Sequence, residues 1–217
     1  MLVSSAVVNA KTTDPVIQYN RLGLLVARIL RAIMSKGCFC WLSRFIIQVQ
    51  SIIRPKHWVY WHVVTPQVFL GAIPLHNWNH SSLITGEGAS AILSINEPHE
   101  FESQCCARPM VEEDWKLRSV HFLNISSPDL EPVPVAKLAE AVNYVAIQIE
   151  KEFRNVYIHC TGGRGRSVSV AACVLMKQEK MSCEQAVSCI QKLRPQAMIS
   201  PQQVATIREW ALKYLGR

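Results

Sequence analysis

The sequence predicts an α/β protein with a central mixed, mostly parallel sheet, helices on both faces, and a basic amphipathic helical extension at the N-terminus. Short apolar runs of strand length alternate with longer helical patterns along residues 57–217. Such alternation is typical of a sheet that is covered by helices on both faces. Residues 1–56 differ from the rest because they carry the whole formal net charge of +7. We therefore expect an extension at 1–56 and one folded domain at 57–217, with Arg54-Pro55-Lys56 as the boundary.

Four strands and four helices are expected after the boundary. The strands are predicted at Val68–Leu70, Ala89–Ile95, Leu117–Ile125 and Val156–Ile158. The helices are predicted at Val135–Phe153, Arg166–Glu179, Cys183–Leu193 and Pro201–Tyr214. Ser182 with Gln185 and Ser200 with Gln203 form capping boxes, which mark the starts of the last two helices.

The segment that follows the last strand indicates phosphate binding. It joins a strand to the N-terminus of a helix, where open α/β sheets bind ligands and helix dipoles attract anions. Its glycines allow backbone N–H groups to converge on an anion. Arg166 adds a planar fork of donors that binds two phosphate oxygens at once. The predicted phosphate-binding residues are Thr161, Gly162, Gly163, Arg164 and Gly165.

Cys160 lies at the base of this predicted cradle. Its thiol pKa is expected below the usual value of about 8.5, since a helix N-terminus and a nearby cation favour the thiolate. We therefore predict that Cys160 attacks a phosphate monoester and forms a phosphocysteine. Ser167 is expected to support the sulfur as a leaving group, and His159 to orient the loop. The alternative is a buried structural cysteine beside a glycine-rich turn.

Other uses of this loop are excluded by spacing. No Gly-Lys-Ser/Thr follows as in a nucleotide-binding P-loop, and no second Cys or His lies at metal-ligand spacing. We expect no metal and no cofactor.

The mechanism also needs a proton donor for the leaving alkoxide. Asp129 is the candidate, because it follows Pro128 in a loop after an apolar strand and precedes Cys160 by 31 residues. Glu131 is the nearest rival. The alternative interpretation of Asp129 is a solvated loop carboxylate.

The pattern His-Cys-x-x-Gly-x-x-Arg-Ser at residues 159–167 resembles the signature of the Cys-x5-Arg phosphatases, and the position of Asp129 resembles the dual-specificity branch. Residues 61–212 look most like the mitochondrial phosphatases that act on phosphatidylglycerophosphate. The stretches that carry this likeness are residues 68–75, Asn96-Glu97, the loop after Cys160, and residues 194–203. The resemblance implies a dual-specificity phosphatase fold and an anionic phospholipid substrate. It also implies the mitochondrial inner membrane as the location, with the cytosolic face of another membrane as the alternative.

Two departures from that subfamily are visible. Thr161 stands where the subfamily usually carries lysine, although the basic residue four positions after the cysteine is kept as Arg164. Pro98 and His99 interrupt the acidic loop at residues 97–102. The alternative interpretation of this loop is a solvated charged turn.

The extension predicts contact with an anionic membrane surface. A helix would place Arg21, Arg28 and Arg31 opposite an apolar stripe formed by Leu22, Val26, Ile29, Leu30, Ile33 and Met34. A second apolar stretch spans Phe45–Ile53. No run reaches the ~18 uncharged residues that a membrane span needs. The alternatives are a targeting segment and a helix packed on the catalytic domain. Nucleic acid is not an expected partner, because the basic residues are dispersed and no binding motif accompanies them.

The remaining cysteines and functions complete the expectations. Cys173, Cys183 and Cys189 are predicted to be core residues, and Cys105-Cys106 lie too close in sequence to pair easily. Cys38 and Cys40 are candidates for lipidation. The alternative substrates are phosphoinositides and phosphoproteins phosphorylated on tyrosine, serine or threonine, and a silent phosphate-binding module is a further alternative. We expect a monomer.

Overall fold

The computed structural model describes residues 16–54, 59–104 and 107–216. Its centre is a five-stranded mixed sheet in the order β1-β2-β5-β3-β4. The strands are β1 Trp61–Thr65, β2 Val68–Ala72, β3 Ala89–Ser94, β4 His121–Asn124 and β5 Asn155–Cys160. β1 is antiparallel to β2, and every other neighbouring pair is parallel. The mostly parallel sheet is confirmed, and the carboxyl ends of β2 to β5 meet at one edge.

Helices cover both faces of this sheet. They are α1 Arg21–Ile33, α2 Lys36–Ile53, α3 His80–Gly86, α4 Glu112–Lys116, α5 Val135–Glu150, α6 Arg166–Glu179, α7 Cys183–Leu193 and α8 Pro201–Leu215. Leu70, Leu93 and Ile158 point to the larger core, which they share with α5 to α8. Residues one position away in the same strands, such as Ile92 and Tyr157, point to the smaller core with α3 and α4.

The capping boxes set the starts of α7 and α8 as predicted. Ser182 Oγ accepts the Gln185 N–H at 3.2 Å, and Ser200 Oγ accepts the Gln203 N–H at 3.1 Å. Each glutamine oxygen accepts the N–H of its serine in return. These local bonds satisfy donors that the first helical turn leaves unpaired.

Two predicted elements were too long. The strand predicted at Leu117–Ile125 occupies only His121–Asn124, because α4 precedes it and the chain turns at Ser119, where φ is 55°. The helix predicted at Val135–Phe153 ends at Glu150. Phe153 has a φ of 52°, and this left-handed conformation cannot continue a helix. The edge strand β1 was missed altogether.

Helices α1 and α2 form the described part of the extension. Four of the six residues in the predicted apolar stripe of α1 are exposed, namely Leu22 at 73%, Val26 at 47%, Ile29 at 51% and Ile33 at 74%, while Leu30 and Met34 are half-buried. α1 buries no residue fully, whereas α2 buries Phe39, Arg44 and Ile47. α2 therefore packs on the catalytic domain, whereas the exposed residues of the α1 stripe remain open. No helix in the described ranges is both long and apolar enough to cross a membrane.

The cysteines follow the predicted division in part. Cys173, Cys183 and Cys189 are buried in the core, as expected. Cys40 is also buried, which contradicts its accessibility for lipidation, because α2 packs it inward. Cys38 is exposed, so its lipidation stays a prediction. Cys105-Cys106, residues 1–15 and residues 55–58 at the predicted boundary lie outside the described residues.

Candidate active site

Cys160 ends the central strand β5, and its side chain is buried at the carboxyl edge of the sheet. A glycine-rich turn leads from it to Arg166, the first residue of α6. The Cys160 Sγ lies 3.3 Å from the Ser167 Oγ. The strand, turn and helix therefore have the predicted arrangement, with the thiol at the N-terminal end of α6.

The surroundings of Cys160 favour the thiolate. Burial acts to raise the pKa of the thiol, but the Arg166 guanidinium and hydrogen bonds from Ser167 outweigh it, so the pKa lies below its ordinary value. His159 is buried beside the loop, and burial lowers the pKa of its imidazole to about 3. A neutral imidazole in this position is suited to packing under the loop rather than to proton transfer.

Arg194 fixes the orientation of the glycine-rich turn. Its Nε donates to the Gly163 carbonyl at 2.7 Å, and its Nη2 donates to the Gly162 carbonyl at 3.2 Å. The N–H and C=O of a trans peptide point in opposite directions, so the N–H groups of Gly163 and Arg164 face away from Arg194. Gly163 has a φ of 61°, and a Cβ there would lie 2.2 Å from the Gly71 carbonyl oxygen. This position therefore requires glycine.

Arg166 is the centre of a buried network of charges. Its Nη1 and Nη2 donate to the two carboxylate oxygens of Glu100 at 2.7 and 2.8 Å. Nη1 also donates to the Ser127 carbonyl at 2.9 Å. The Arg166 Nε has no hydrogen-bond partner among the described residues. Glu100 thus fixes the plane of the guanidinium, and one N–H donor is left for a ligand.

Asp129 meets the same guanidinium, with its Oδ1 2.8 Å from the Arg166 Nη2. Burial raises the pKa of the Asp129 carboxyl, Arg166 opposes this, and the charge of Glu100 adds to it, so the pKa lies above its ordinary value. At Glu100, burial acts to raise the pKa of the carboxyl, but hydrogen bonds from Arg166 and Thr161 outweigh it, so this pKa lies below its ordinary value. Two neighbouring carboxyls whose pKa values are pushed apart suit the roles of proton donor and permanent anion.

The rival acid is less favourably placed. Glu131 is exposed, and its backbone oxygen accepts a hydrogen bond from the Gln203 Nε2 at 3.2 Å. No bond joins the Glu131 side chain to Arg166 among the described contacts. The geometry therefore favours Asp129 over Glu131, and it contradicts the interpretation of Asp129 as a solvated loop carboxylate.

The acidic loop is part of the site, so its interpretation as a solvated charged turn is wrong for Glu100. That side chain is 2% exposed. The Glu97 N–H donates to the Glu100 Oε2 at 2.6 Å, and the Glu97 Oε2 accepts the Asp129 N–H at 3.2 Å. The loop therefore connects Arg166 to the segment that carries Asp129.

Helix α2 holds this acidic loop from outside. Arg44, which is 2% exposed, donates to the Glu102 carbonyl at 3.1 Å and to the Glu100 carbonyl. Lys36 Nζ lies 3.8 Å from the Glu97 Oε1. Two basic residues of the extension thus contact the loop that orients Arg166.

Two predicted phosphate-binding side chains are engaged elsewhere. The Thr161 hydroxyl donates to Glu100 and accepts from the Asn96 Nδ2 at 3.0 Å. The Arg164 Nε donates to the Gln196 carbonyl at 3.0 Å. The backbone of Thr161 is the part that remains suited to phosphate, because its side chain belongs to the acidic-loop network.

A cavity of about 500 Å³ lies over the loop. Cys160, Arg166 and Asp129 line one side of it, and apolar residues of α1 and α2 line the other. A phosphate monoester in this cavity would meet a thiolate, a fixed guanidinium and a carboxyl with a raised pKa. This arrangement can carry out nucleophilic displacement at phosphorus.

Sequence reasoning missed three residues of this site as such, namely Glu100, Arg44 and Arg194. The acidic loop and the segment that begins at Arg194 were noticed only as parts of a resemblance. Arg44 was counted among the basic residues of the extension. No local pattern marks a side chain whose partners lie far away along the chain.

Comparison with known proteins decides the family. Residues 86–213 match the model of the dual specificity phosphatase catalytic domain. The chain belongs to the dual-specificity phosphatase family. It is therefore an enzyme of the cysteine-dependent phosphatase class, and the silent binding module is not supported.

Within its family, this dual-specificity phosphatase groups with the phosphatidylglycerophosphatases. It is 31% identical over 164 residues to mouse phosphatidylglycerophosphatase and protein-tyrosine phosphatase 1, which covers 75% of this chain and 82% of the mouse protein. The human protein of the same name is 29% identical over 161 residues, or 74% of this chain and 78% of the human protein. The crystal structure of PTPMT1 in complex with PI(5)P superposes with a TM-score of 0.65 at 26% identity, covering 73% of this chain and 98% of that chain.

Proposed function

We propose that this phosphatase hydrolyses the phosphate monoester of an anionic phospholipid at a membrane surface, with phosphatidylglycerophosphate as the substrate. The mouse and human relatives named above are phosphatidylglycerophosphatases by name, which supports this substrate. The observation that carries the proposal is the open apolar stripe of α1, which lies beside the cavity over Cys160. An exposed apolar surface beside the active site suits a substrate that lies in a membrane better than a small dissolved phosphate.

In the first chemical step, Cys160 is the nucleophile. Its thiolate attacks phosphorus, the S–P bond forms, and the bond from phosphorus to the lipid oxygen breaks. Arg166 and the backbone of residues 161–165 bind the phosphate oxygens, and they stabilise the charge of the transition state. Asp129 donates its proton to the leaving alkoxide, for which its raised pKa suits it.

In the second step, water attacks the phosphocysteine. The S–P bond breaks, inorganic phosphate leaves, and the Asp129 carboxylate takes up a proton from the attacking water. Ser167, 3.3 Å from the sulfur, donates a hydrogen bond that stabilises the departing thiolate. His159 supports the loop from below as a neutral residue.

Residues 1–56 bring the enzyme to the membrane in this proposal, and residues 57–217 carry the chemistry. The extension supplies the whole net charge of +7, which attracts anionic lipid headgroups. Leu22, Ile29 and Ile33 are exposed on α1 and would enter the headgroup region. The mitochondrial inner membrane is the location that the family suggests, and the cytosolic face of another membrane is the alternative. The enzyme works as a monomer without a cofactor.

A second candidate substrate has its own support. The related crystal structure contains PI(5)P, so phosphoinositides are the rival class of lipid. The relatives' names also include protein-tyrosine phosphatase activity. The decisive experiment measures kcat/KM for phosphatidylglycerophosphate, individual phosphoinositides and phosphotyrosine peptides side by side.

The control for this panel is Cys160→Ser, which removes the nucleophile. We expect the highest kcat/KM for phosphatidylglycerophosphate in the unaltered enzyme and no turnover of any substrate in the variant. A higher kcat/KM for a phosphoinositide would move the assignment to that lipid. A preference for the peptides would refute the lipid proposal.

A further inference from the structure

A single cavity joins the catalytic loop, residues 160–166, to apolar side chains of α1 and α2. We infer that this cavity binds an acyl chain of the substrate. The inference rests on the proposed lipid phosphatase function and adds the part of the lipid that the extension binds. Cys160 and Arg166 line the cavity, and so do the apolar side chains of Leu30, Leu42 and Ile46. A ligand that contacts both groups of residues carries a phosphate and a hydrocarbon chain.

Helix α2 lies directly on the catalytic loop. A Cβ placed on Gly162 would come within 3.4 Å of the Ile47 Cδ1. Ile47 and Phe39 line the cavity and are nearly buried, at 7% exposure each. The apolar wall therefore begins next to the phosphate-binding turn, close enough for one molecule to contact both.

The chemistry of the wall favours hydrocarbon over peptide. The wall is formed by described residues of α1, of α2 and of the cap that precedes α1. The polar side chains among them are those of Asn20 and Ser43. The Asn20 Oδ1 already accepts the Gly23 N–H at 2.8 Å. A bound peptide would bury backbone N–H and C=O groups against this wall with few partners, and such burial is unfavourable. An acyl chain has no polar groups to satisfy.

The size and the mouth of the cavity also fit a lipid chain. Its volume of about 500 Å³ falls within the range of about 300–1,000 Å³ that ligand pockets occupy. Leu22 and Val26 line the cavity and are 73% and 47% exposed, so they form its rim. The rim lies on the outward apolar stripe of α1, which is the surface proposed to meet the membrane. A lipid chain can therefore enter the cavity from the bilayer side.

The test uses n-alkyl phosphonates, which carry a phosphate-like group but cannot be hydrolysed. Dissociation constants of butyl, hexyl and octyl phosphonate are measured by calorimetric titration of the full chain, in solution and without membranes. Each methylene that leaves water strengthens binding by about fourfold, which gives about 250-fold from butyl to octyl. This binding readout does not require turnover of any lipid.

Matched variants assign the effect to the cavity. The double variant Val26→Asn/Ile46→Asn places two polar groups on the cavity wall at positions that are already 47% and 40% exposed. The control Leu25→Asn/Ile52→Asn changes two residues that are 56% and 62% exposed and do not line the cavity. We expect the gain in affinity from butyl to octyl to fall below tenfold in the first variant and to stay at about 250-fold in the control.

The outcomes separate this inference from the proposed function. Equal affinities for butyl and octyl phosphonate in the unaltered enzyme would overturn the acyl site, and so would an equal loss of chain-length dependence in both double variants. A phosphotyrosine peptide that displaces octyl phosphonate and loses affinity in the cavity variant would assign the wall to peptides instead. A retained chain-length dependence without turnover of phosphatidylglycerophosphate would support the acyl site and refute only the proposed substrate.

Discussion

Replacing Glu100 with glutamine tests whether the acidic loop controls both the stability and the chemistry of the site. The substitution keeps the shape of the side chain but removes its charge. One glutamine oxygen still accepts from Arg166, whereas the new amide would present donors to the donors of the guanidinium. Glu100 and Arg166 are 2% and 1% exposed, so water cannot replace the lost partner.

The magnitude follows from the geometry of the pair. Removing one partner of a buried ion pair destabilises a protein by about 3–5 kcal/mol. Asp129 remains 2.8 Å from the same guanidinium and compensates part of its charge, so we expect the free energy of unfolding to fall by about 3 kcal/mol. The substitution also removes one charge-assisted hydrogen bond that positions Arg166. Such a bond contributes about 1.5–3 kcal/mol, so kcat/KM should fall by about tenfold to a hundredfold.

The substitution also changes the pH dependence in a defined direction. The Glu100 charge contributes to the raised pKa of Asp129, so its removal lowers that pKa. Asp129 acts as a donor only while protonated. Turnover of an alkyl phosphate, which needs the proton, should therefore decline at a lower pH in Glu100→Gln than in the unaltered enzyme. The reverse shift would contradict the assignment of Asp129 and Glu100 to these roles.

The assays are urea unfolding and pH profiles of kcat/KM. Glu102→Gln is the matched control, because the Glu102 side chain is exposed and only its backbone oxygen accepts from Arg44. We expect this control to retain the stability and the pH profile of the unaltered enzyme. If Glu100→Gln behaved like Glu102→Gln in both assays, the reasoning that the buried pair orders the site would be refuted.

Two further predictions concern the acid and the extension. Asp129→Asn should lower kcat for a substrate with a poor alkoxide leaving group by about a hundredfold or more. It should lower kcat far less for a substrate with a good aryl leaving group, and Glu131→Gln is the control. Equal losses for both substrates would argue against Asp129 as the acid. Arg44→Met removes two hydrogen bonds from α2 to the backbone of the acidic loop, so it should lower kcat/KM for a dissolved aryl phosphate by about tenfold. Arg28→Met, an exposed change on α1, should leave that value unchanged, and an equal effect of the two substitutions would show that Arg44 acts only through charge.

The sequence predicted the chemical part of the site well because that part is local. Cys160, the glycines and Arg166 lie within seven consecutive residues, and a strand and a helix fix their relative positions. The capping boxes are local for the same reason. The identity of the family could also be inferred from this one segment together with Asp129.

The parts that could not be predicted depend on contacts between distant residues. Glu100 pairs with Arg166 across 66 positions, and Arg44 reaches Glu102 across 58. In the sequence, Arg44 is one more basic residue of a charged extension, and only the fold distinguishes it from the exposed Arg28. The strand boundary near Leu117 failed for a similar reason, because burial of Trp115 favours a helical turn over an extended start.

The long-range closure of the site has a consequence for its biosynthesis. α1 and α2 are made before the acidic loop and the catalytic loop, so Arg44 and Ile47 find their partners only after those loops have been synthesised. At about 5–20 residues per second, this delay amounts to about 6–24 seconds for the chain between Arg44 and Arg166. During that interval the apolar side of α2 lacks the surface that later buries it. Other apolar surfaces can therefore compete with the catalytic domain for this helix before the enzyme has an active site.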